Sequence, residues 1–326
     1  MSSAFLEYTP LLVPSFSSKG NLLIDNGGQL ESDNYSLLKV LDYRVTNKYL
    51  ISAYDCYYGF LPKSPEDYPV ADFLFVDSGG YETNGSFESN EINKFNYHVN
   101  QWDYDKMKDV YKRFVECESF SNSMLIFSSF DTQGSLEEQV NNAQLLKEEF
   151  PGAIIDFLIK LGSGSVADLI GELVEQKEKL NHFSIIGFTE KELGDTVRER
   201  LINLWRLRQG LSHIGWNGSI HLFGGLEPNL AGLYYLAGAD IFDGLSWQRI
   251  RYRDSSTLFN TKHYNIGINE NANKLEMMID NISVLREIER ELLLKSVDRE
   301  TLSSQMIECL HTGENQTIQH IWEEVK

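Results

Sequence analysis

Short apolar runs and longer stretches of helical period alternate along this chain. Apolar runs at 9–14 (closed by Pro14), 48–53, 72–76, 124–130, 153–159, 183–186, 219–223 and 239–242 predict eight buried strands. The intervening polar and apolar positions predict helices over 104–118, 135–150, 166–179, 193–211 and 229–236. Their ends carry local signals. Ser135-Leu-Glu-Glu138 is a capping box, Gly162-Ser-Gly-Ser165 caps the next helix, Pro228 fits a first helical turn, and Gly238 stops the helix before the last strand. Eight strands, most of them followed by helices, predict an α/β chain folded as a (β/α)8 TIM barrel.

Other stretches are less regular. Residues 21–30 read as a hairpin turning at Asp25-Asn-Gly-Gly28, and a short helix is expected over 36–41. Residues 55–67, with Tyr57-Tyr58-Gly59 and two prolines, read as loop, and 82–99 as a long surface loop. After Arg253 the chain is polar through Asn273, then helical over 274–295 and 300–310. No linker separates a second domain, so the expectation is one barrel over 1–326 with insertions and a C-terminal helical extension from about 270 to 326.

Composition narrows the partners. Lys and Arg number 29 against 48 Asp and Glu, a net charge of −19. Such a field repels DNA and RNA, whose binding draws on clustered cations that release counterions. The three cysteines, Cys56, Cys117 and Cys309, are widely spaced, which predicts no disulfide framework and a reducing cytoplasm. No run is long and apolar enough for a membrane span, and no basic-then-apolar leader opens the chain.

The candidate chemistry lies at the predicted strand ends, where parallel barrels place it. Asp77, Asp131 and Asp243 end strands three, four and eight. Two carboxylates facing one pocket suit glycosyl transfer, one attacking an anomeric carbon and the other moving protons on the base. Gly79-Gly80 lets backbone amides approach a flat ligand, and Tyr81 and Phe223 are placed to sandwich a heteroaromatic ring. Each Asp alone is more often a cap, and each aromatic alone more often core.

Together these residues resemble the tRNA-guanine transglycosylases, the queuine and archaeosine tRNA-ribosyltransferases. Asp77-Ser-Gly-Gly-Tyr81 is similar to the family's Asp-Ser-Gly-Gly-Phe, and Phe130-Asp131 to its Phe-Asp-Glu. Leu222-Phe-Gly-Gly-Leu226 is similar to Leu-Met-Gly-Val-Gly, and Phe242-Asp243-Gly244 with Arg249 to Phe-Asp-Cys…Thr-Arg. The likeness covers roughly 9 to 290. It implies Asp77 as general base, Asp243 as nucleophile, and a base-binding set of Ser78, Gly79, Gly80, Tyr81, Asp131, Lys160, Gly187, Phe223 and Gly224.

The departures from the family pattern matter as much. The family's Cys-x-Cys-x-x-Cys…His zinc site has no counterpart here. Residues 244–296 contain no cysteine, and Asn273 stands where the last ligand would be, so the resemblance implies lost zinc and no metal or other cofactor. Cys309, His311 and His320 are the alternative ligands. Lys160 replaces a base-reading Gln, and Glu82 follows the stacking aromatic where the family has Gln. The expectation is a zinc-less relative that handles a 7-deazaguanine-type base and binds a protein instead of tRNA. Its relatives include the accessory protein of type IV CBASS anti-phage defence, whose partner is a CD-NTase-type nucleotidyltransferase. A base-exchanging glycosyltransferase acting on DNA or tRNA is the second reading, and a catalytically idle nucleobase-binding module the third.

Overall fold

The computed structural model describes residues 7–20, 23–25, 30–32, 38, 46–83, 98–162, 164–253, 256–259 and 270–312. Eight parallel strands close into a barrel. They are β1 (Leu11–Phe16), β4 (Lys48–Ser52), β5 (Phe73–Asp77), β6 (Met124–Ser128), β7 (Ile154–Ile159), β8 (Ile185–Thr189), β9 (Ser219–Phe223) and β10 (Ile241–Gly244), in the order β1-β10-β9-β8-β7-β6-β5-β4. Two antiparallel hairpins stand apart from it, β2 (Leu23–Asp25) with β3 (Leu30–Ser32) and β11 (Ile250–Arg253) with β12 (Ser256–Phe259). The barrel strands read as continuous apolar runs because helices outside and side chains inside bury both faces. β1 is buried at all six positions, and Ile51, Val76, Phe127, Phe157, Ile186, Ile220 and Phe242 are shut off from solvent.

The chain gathers into two compact units. One comprises Pro14–Thr132 and Asn142–Asp156; the other comprises Met1–Val13, Gln133–Asn141 and Phe157–Lys326. In the first, Tyr111 of the helix Tyr104–Glu116 stacks on Phe127 at 4.3 Å, and Phe150 meets Phe127 edge-on at 5.6 Å. In the second, Phe157 packs on Phe183 at 4.9 Å, and the helix Val197–His213 presents Leu201, Leu204, Leu207 and Leu211 inward. That helix opens on a capping box at Thr196 and Glu199. The capping boxes at Ser135–Glu138 and Ser165–Asp168 also form.

The C-terminal helices are fastened to the second unit by polar groups. Buried Asn281, in the helix Glu270–Leu294, donates to the carbonyls of Trp247 (2.6 Å) and Ile250 (2.8 Å), and accepts from the Tyr252 amide at 2.8 Å. Arg299 opens the helix Arg299–Thr312 and donates to the carbonyls of Tyr235 and Ala239. Its guanidinium lies 3.8 Å from the Tyr235 ring centroid.

Several boundaries differ from the sequence expectation. Pro14 lies inside β1, which pairs with β4 only from Ser15 on. The prolyl nitrogen, which has no hydrogen to give, therefore precedes that stretch of ladder. Residues 53–58, expected as loop from Asp55 on, form the helix Ala53–Tyr58, capped by the Ser52 side chain and stopped by left-handed Gly59. The polar stretch after Arg253 contains β12, so hairpin pairing replaces part of the expected irregular segment. Residues 26–28, the rest of the 36–41 helix beyond Leu38, and 84–97 of the expected surface loop lie outside the described residues. No helix among the described residues is long and apolar enough to cross a membrane.

Candidate functional site

The first unit carries the Asp77–Tyr81 segment. β5 ends on Asp77, in register with Ser52 at the end of β4. The Gly79 amide donates to Asp77 Oδ2 at 3.1 Å, so this carboxylate does cap its own turn. Ser78 is buried, and its carbonyl accepts from Trp102 Nε1 at 2.9 Å. A Cβ on Gly79 would lie 2.6 Å from Tyr54 Cβ, and one on Gly80 would lie 2.2 Å from Asp131 Oδ2. Only glycine admits such an approach. The chain then enters the short helix Gly80–Thr83, which presents Tyr81 with 38% of its surface open. The structure thus brings Gly80 and Asp131 together, although Asp131 lies three residues beyond the end of β6.

Beneath Tyr81 is a buried charged cluster that the sequence reading missed. Lys19 is fully buried, and its Nζ lies 4.8 Å from the Tyr81 ring centroid. Asp55 and Glu82 are buried beside it. Asp55 accepts from the Ser18 amide at 2.6 Å and from the Ser18 hydroxyl, while Glu82 accepts from the hydroxyls of Ser17 and Ser52, the latter at 2.7 Å. Glu82 is therefore not the first residue of a surface loop, as expected, but part of the interior. Burial pushes the Asp55 carboxyl well up, the Glu82 charge pushes it further, and Ser18 and Lys19 pull it back. Burial likewise raises Glu82 against the hydrogen bonds from Ser17 and Ser52 and the Lys19 charge. The sequence signal was a polar Ser17-Ser18-Lys19 run directly after an apolar strand.

This cluster has a pH consequence. A carboxyl raised in the folded state ionises first in the unfolded chain, so its contribution holds at low pH and is lost as pH rises. The window opens at the ordinary Glu value of 4.5 and closes at the raised one. Glu82→Gln keeps the Asp55 part of this loss and lacks the Glu82 part, so the stability of wild type relative to Glu82→Gln should fall as pH rises above about 4.5. Urea unfolding of both proteins across that range measures it, and a pH-independent difference counts against it.

An aromatic cluster fixes the same segment from behind. Tyr54 stacks on Phe60 at 6.3 Å and meets Trp102 edge-on at 5.4 Å, and the Tyr54 hydroxyl accepts from the Asn100 amide at 2.8 Å. Tyr58 donates to the Gln101 carbonyl. Tyr57 and Tyr58, expected in a loop, thus brace residues 100–102, which in turn hold Ser78. Asp156, fully buried within β7 and in register with Ser128, is another interior acid that the apolar pattern concealed.

The second unit carries the other half of the candidate set. Asp243 lies within β10, one residue before its end, and is 7% exposed. Its Oδ1 accepts from the Gly224 amide at 3.0 Å. Gly224 follows β9 with φ +80°, a left-handed turn that swings this N–H toward the carboxylate. His221 Nε2 is 3.3 Å from the same oxygen, within ion-pair range though not aligned as a hydrogen bond. The His221 ring stacks on Phe223 with centroids 3.9 Å apart. The two-residue period of Ser219, His221 and Phe223 along β9 was the available signal for that histidine.

Of two further expected base contacts, Gly187 is placed differently and Lys160 as expected. Gly187 was read as ending its strand, but β8 runs on to Thr189, and Gly187 sits mid-strand in register with His221. Lys160, just past β7, forms an ion pair with Glu192 and donates to Thr189 Oγ1 at 3.2 Å. Its amide donates to Gln139 Oε1 at 2.9 Å. Its ammonium is thus engaged within its own unit.

Among the described residues no group of three or more His, Cys, Asp or Glu is placed to hold a metal ion. Cys309 is buried and His311 exposed; His320 and the Asn273 side chain lie outside the described residues. No known family model matches the chain, and no curated protein matches it.

Proposed function

We propose that this protein binds a 7-deazaguanine-type nucleobase in the manner of a tRNA-guanine transglycosylase that has lost its zinc subdomain and its tRNA. The observation that carries this reading is the Gly80–Asp131 approach. It sets a two-oxygen acceptor one residue away from Tyr81, a partly open aromatic ring. A guanine edge offers two adjacent N–H donors, which a carboxylate accepts together, while an aromatic face takes the ring. In this reading Asp131 and Tyr81 supply recognition, with Ser78, Gly79 and Gly80 shaping the backbone.

In the base-exchanging alternative, acting on DNA or tRNA, the resemblance assigns Asp243 the attack on the anomeric carbon of the nucleotide. The C1′–N9 bond breaks as the carboxylate–C1′ bond forms, and the departing base takes its proton from Asp77, which is left as the carboxylate. Asp77, as general base, removes the proton from the incoming base when the covalent sugar is released. The Gly224 amide holds Asp243 Oδ1. Phe223 stacks on the His221 ring, and the resemblance implies a base-binding role for it. Net charge −19 supports a protein partner over a nucleic acid, and the resemblance points to a nucleotidyltransferase in anti-phage defence.

The test is calorimetry with 7-deazaguanine, followed by labelled-guanine incorporation into tRNA and duplex DNA. Binding should survive Asp243→Ala and weaken about tenfold or more in Asp131→Ala, which loses charge-assisted hydrogen bonds. Incorporation into either polymer that depends on Asp243 would overturn the protein-partner part. Absence of any base binding would overturn the whole reading.

A further inference from the structure

Three adjacent barrel strands, β1, β4 and β5, send their C-terminal ends into one buried cluster. β1 leads to Ser17, Ser18 and Lys19. β4 ends on Ser52 and opens the helix holding Asp55, and β5 leads to Tyr81 and Glu82. Lys19 and Asp55 are fully buried, and Glu82 is 1% exposed. Withdrawing ionisable groups from water is costly before their mutual attraction is counted. A methionine at position 19 would fill much of the same space without that cost. The charge itself therefore calls for an explanation, and the Tyr81 ring, 4.8 Å from the ammonium, is the aromatic surface it meets.

We infer that Lys19, seated by Asp55 and Glu82 against Tyr81, makes that ring a stacking platform selective for electron-rich flat heterocycles. A cation near a ring draws on its π density and leaves it electron-poor. An electron-poor ring stacks best on an electron-rich one, and a pyrrole-fused pyrimidine is richer than the same skeleton with an added ring nitrogen. Lys19 is then a specificity-determining residue acting through Tyr81, with no contact of its own to the ligand. Asp55 and Glu82 position it: the Ser18 amide and hydroxyl hold one carboxyl, and the Ser17 and Ser52 hydroxyls hold the other. The inference rests on the base-binding reading above and deepens it.

The experiment compares 7-deazaguanine with 8-azaguanine, two rings with the same O6, N1–H and amino edge, the first electron-rich and the second electron-poor, by calorimetry on the full chain. Lys19→Met alone leaves two buried carboxyls facing each other, so Lys19→Met/Glu82→Gln is measured beside it, with Lys19→Arg to restore a cation. The ratio of the two affinities should shift against 7-deazaguanine by about three- to tenfold in the double variant and stay near wild type in Lys19→Arg. In a Tyr81→Leu background the Lys19 substitution should no longer move the ratio. A purely structural role for Lys19 would weaken both rings equally. If both bases bind and the ratio does not move, the inference falls while the base-binding reading stands. If neither base binds wild type, both fall.

Discussion

Replacing Asp240 with alanine should lower the unfolding free energy by about 3–5 kcal/mol, the cost of leaving buried charges unpaired. Asp240 is 3% exposed and lies between two guanidinium groups. Arg208, from the helix Val197–His213, donates to its Oδ2, and Arg299, from the last described helix, reaches its Oδ1 at 2.7 Å. The Ile220 amide of β9 adds a third donor at 2.9 Å. Burial alone would raise this carboxyl; the charges of Arg208 and Arg299 and their hydrogen bonds more than offset it, and it is held below the ordinary value of 3.8. A depressed carboxyl contributes stability above its unfolded value and loses it as pH falls toward the folded one. Urea unfolding followed by tryptophan fluorescence should therefore show the gap between wild type and Asp240→Ala at neutral pH and its closure below about pH 3.8. A change under about 1 kcal/mol would place this cluster with ordinary surface pairs.

Gly80→Ala should remove most base binding while leaving the protein folded. The new methyl would lie 2.2 Å from Asp131 Oδ2 and 2.7 Å from Asp131 Cβ, so the Asp131 side chain has to leave. Overpacking of this kind costs about 1–3 kcal/mol of stability. Losing charge-assisted hydrogen bonds to the base should weaken 7-deazaguanine binding by about 10–100-fold. Gly152→Ala is the matched control, because nothing lies within 4 Å of its Cβ position. Calorimetry on both variants decides it: equal affinities would show that Asp131 does not read the base.

These two predictions differ in how visible their residues were beforehand. Asp77, Gly80 and Asp243 were marked in the sequence by their places after apolar strands and beside glycines. Asp240 was not, because one acid within the short run Ala-Asp-Ile-Phe passes as an ordinary polar position of the predicted strand. Its partners lie 32 and 59 residues away, a separation no local pattern encodes.

What the sequence by itself determined was the succession of elements. Apolar runs bounded by Pro, Gly and capping residues located eight strands and their main helices, since burial on both faces and the missing first-turn donors of a helix are local demands. The closed strand order, the extension of β8 past Gly187 and the pairing of β11 with β12 were decided by tertiary structure, because ladders join residues distant in the chain. The same holds for the chemistry. Lys160 read as a base donor, and only folding shows that Glu192 meets its ammonium. Asp55 and Glu82 read as loop residues until three strand ends buried them with Lys19 under Tyr81. A charge reveals its role through its neighbours, and these neighbours meet only in the folded chain.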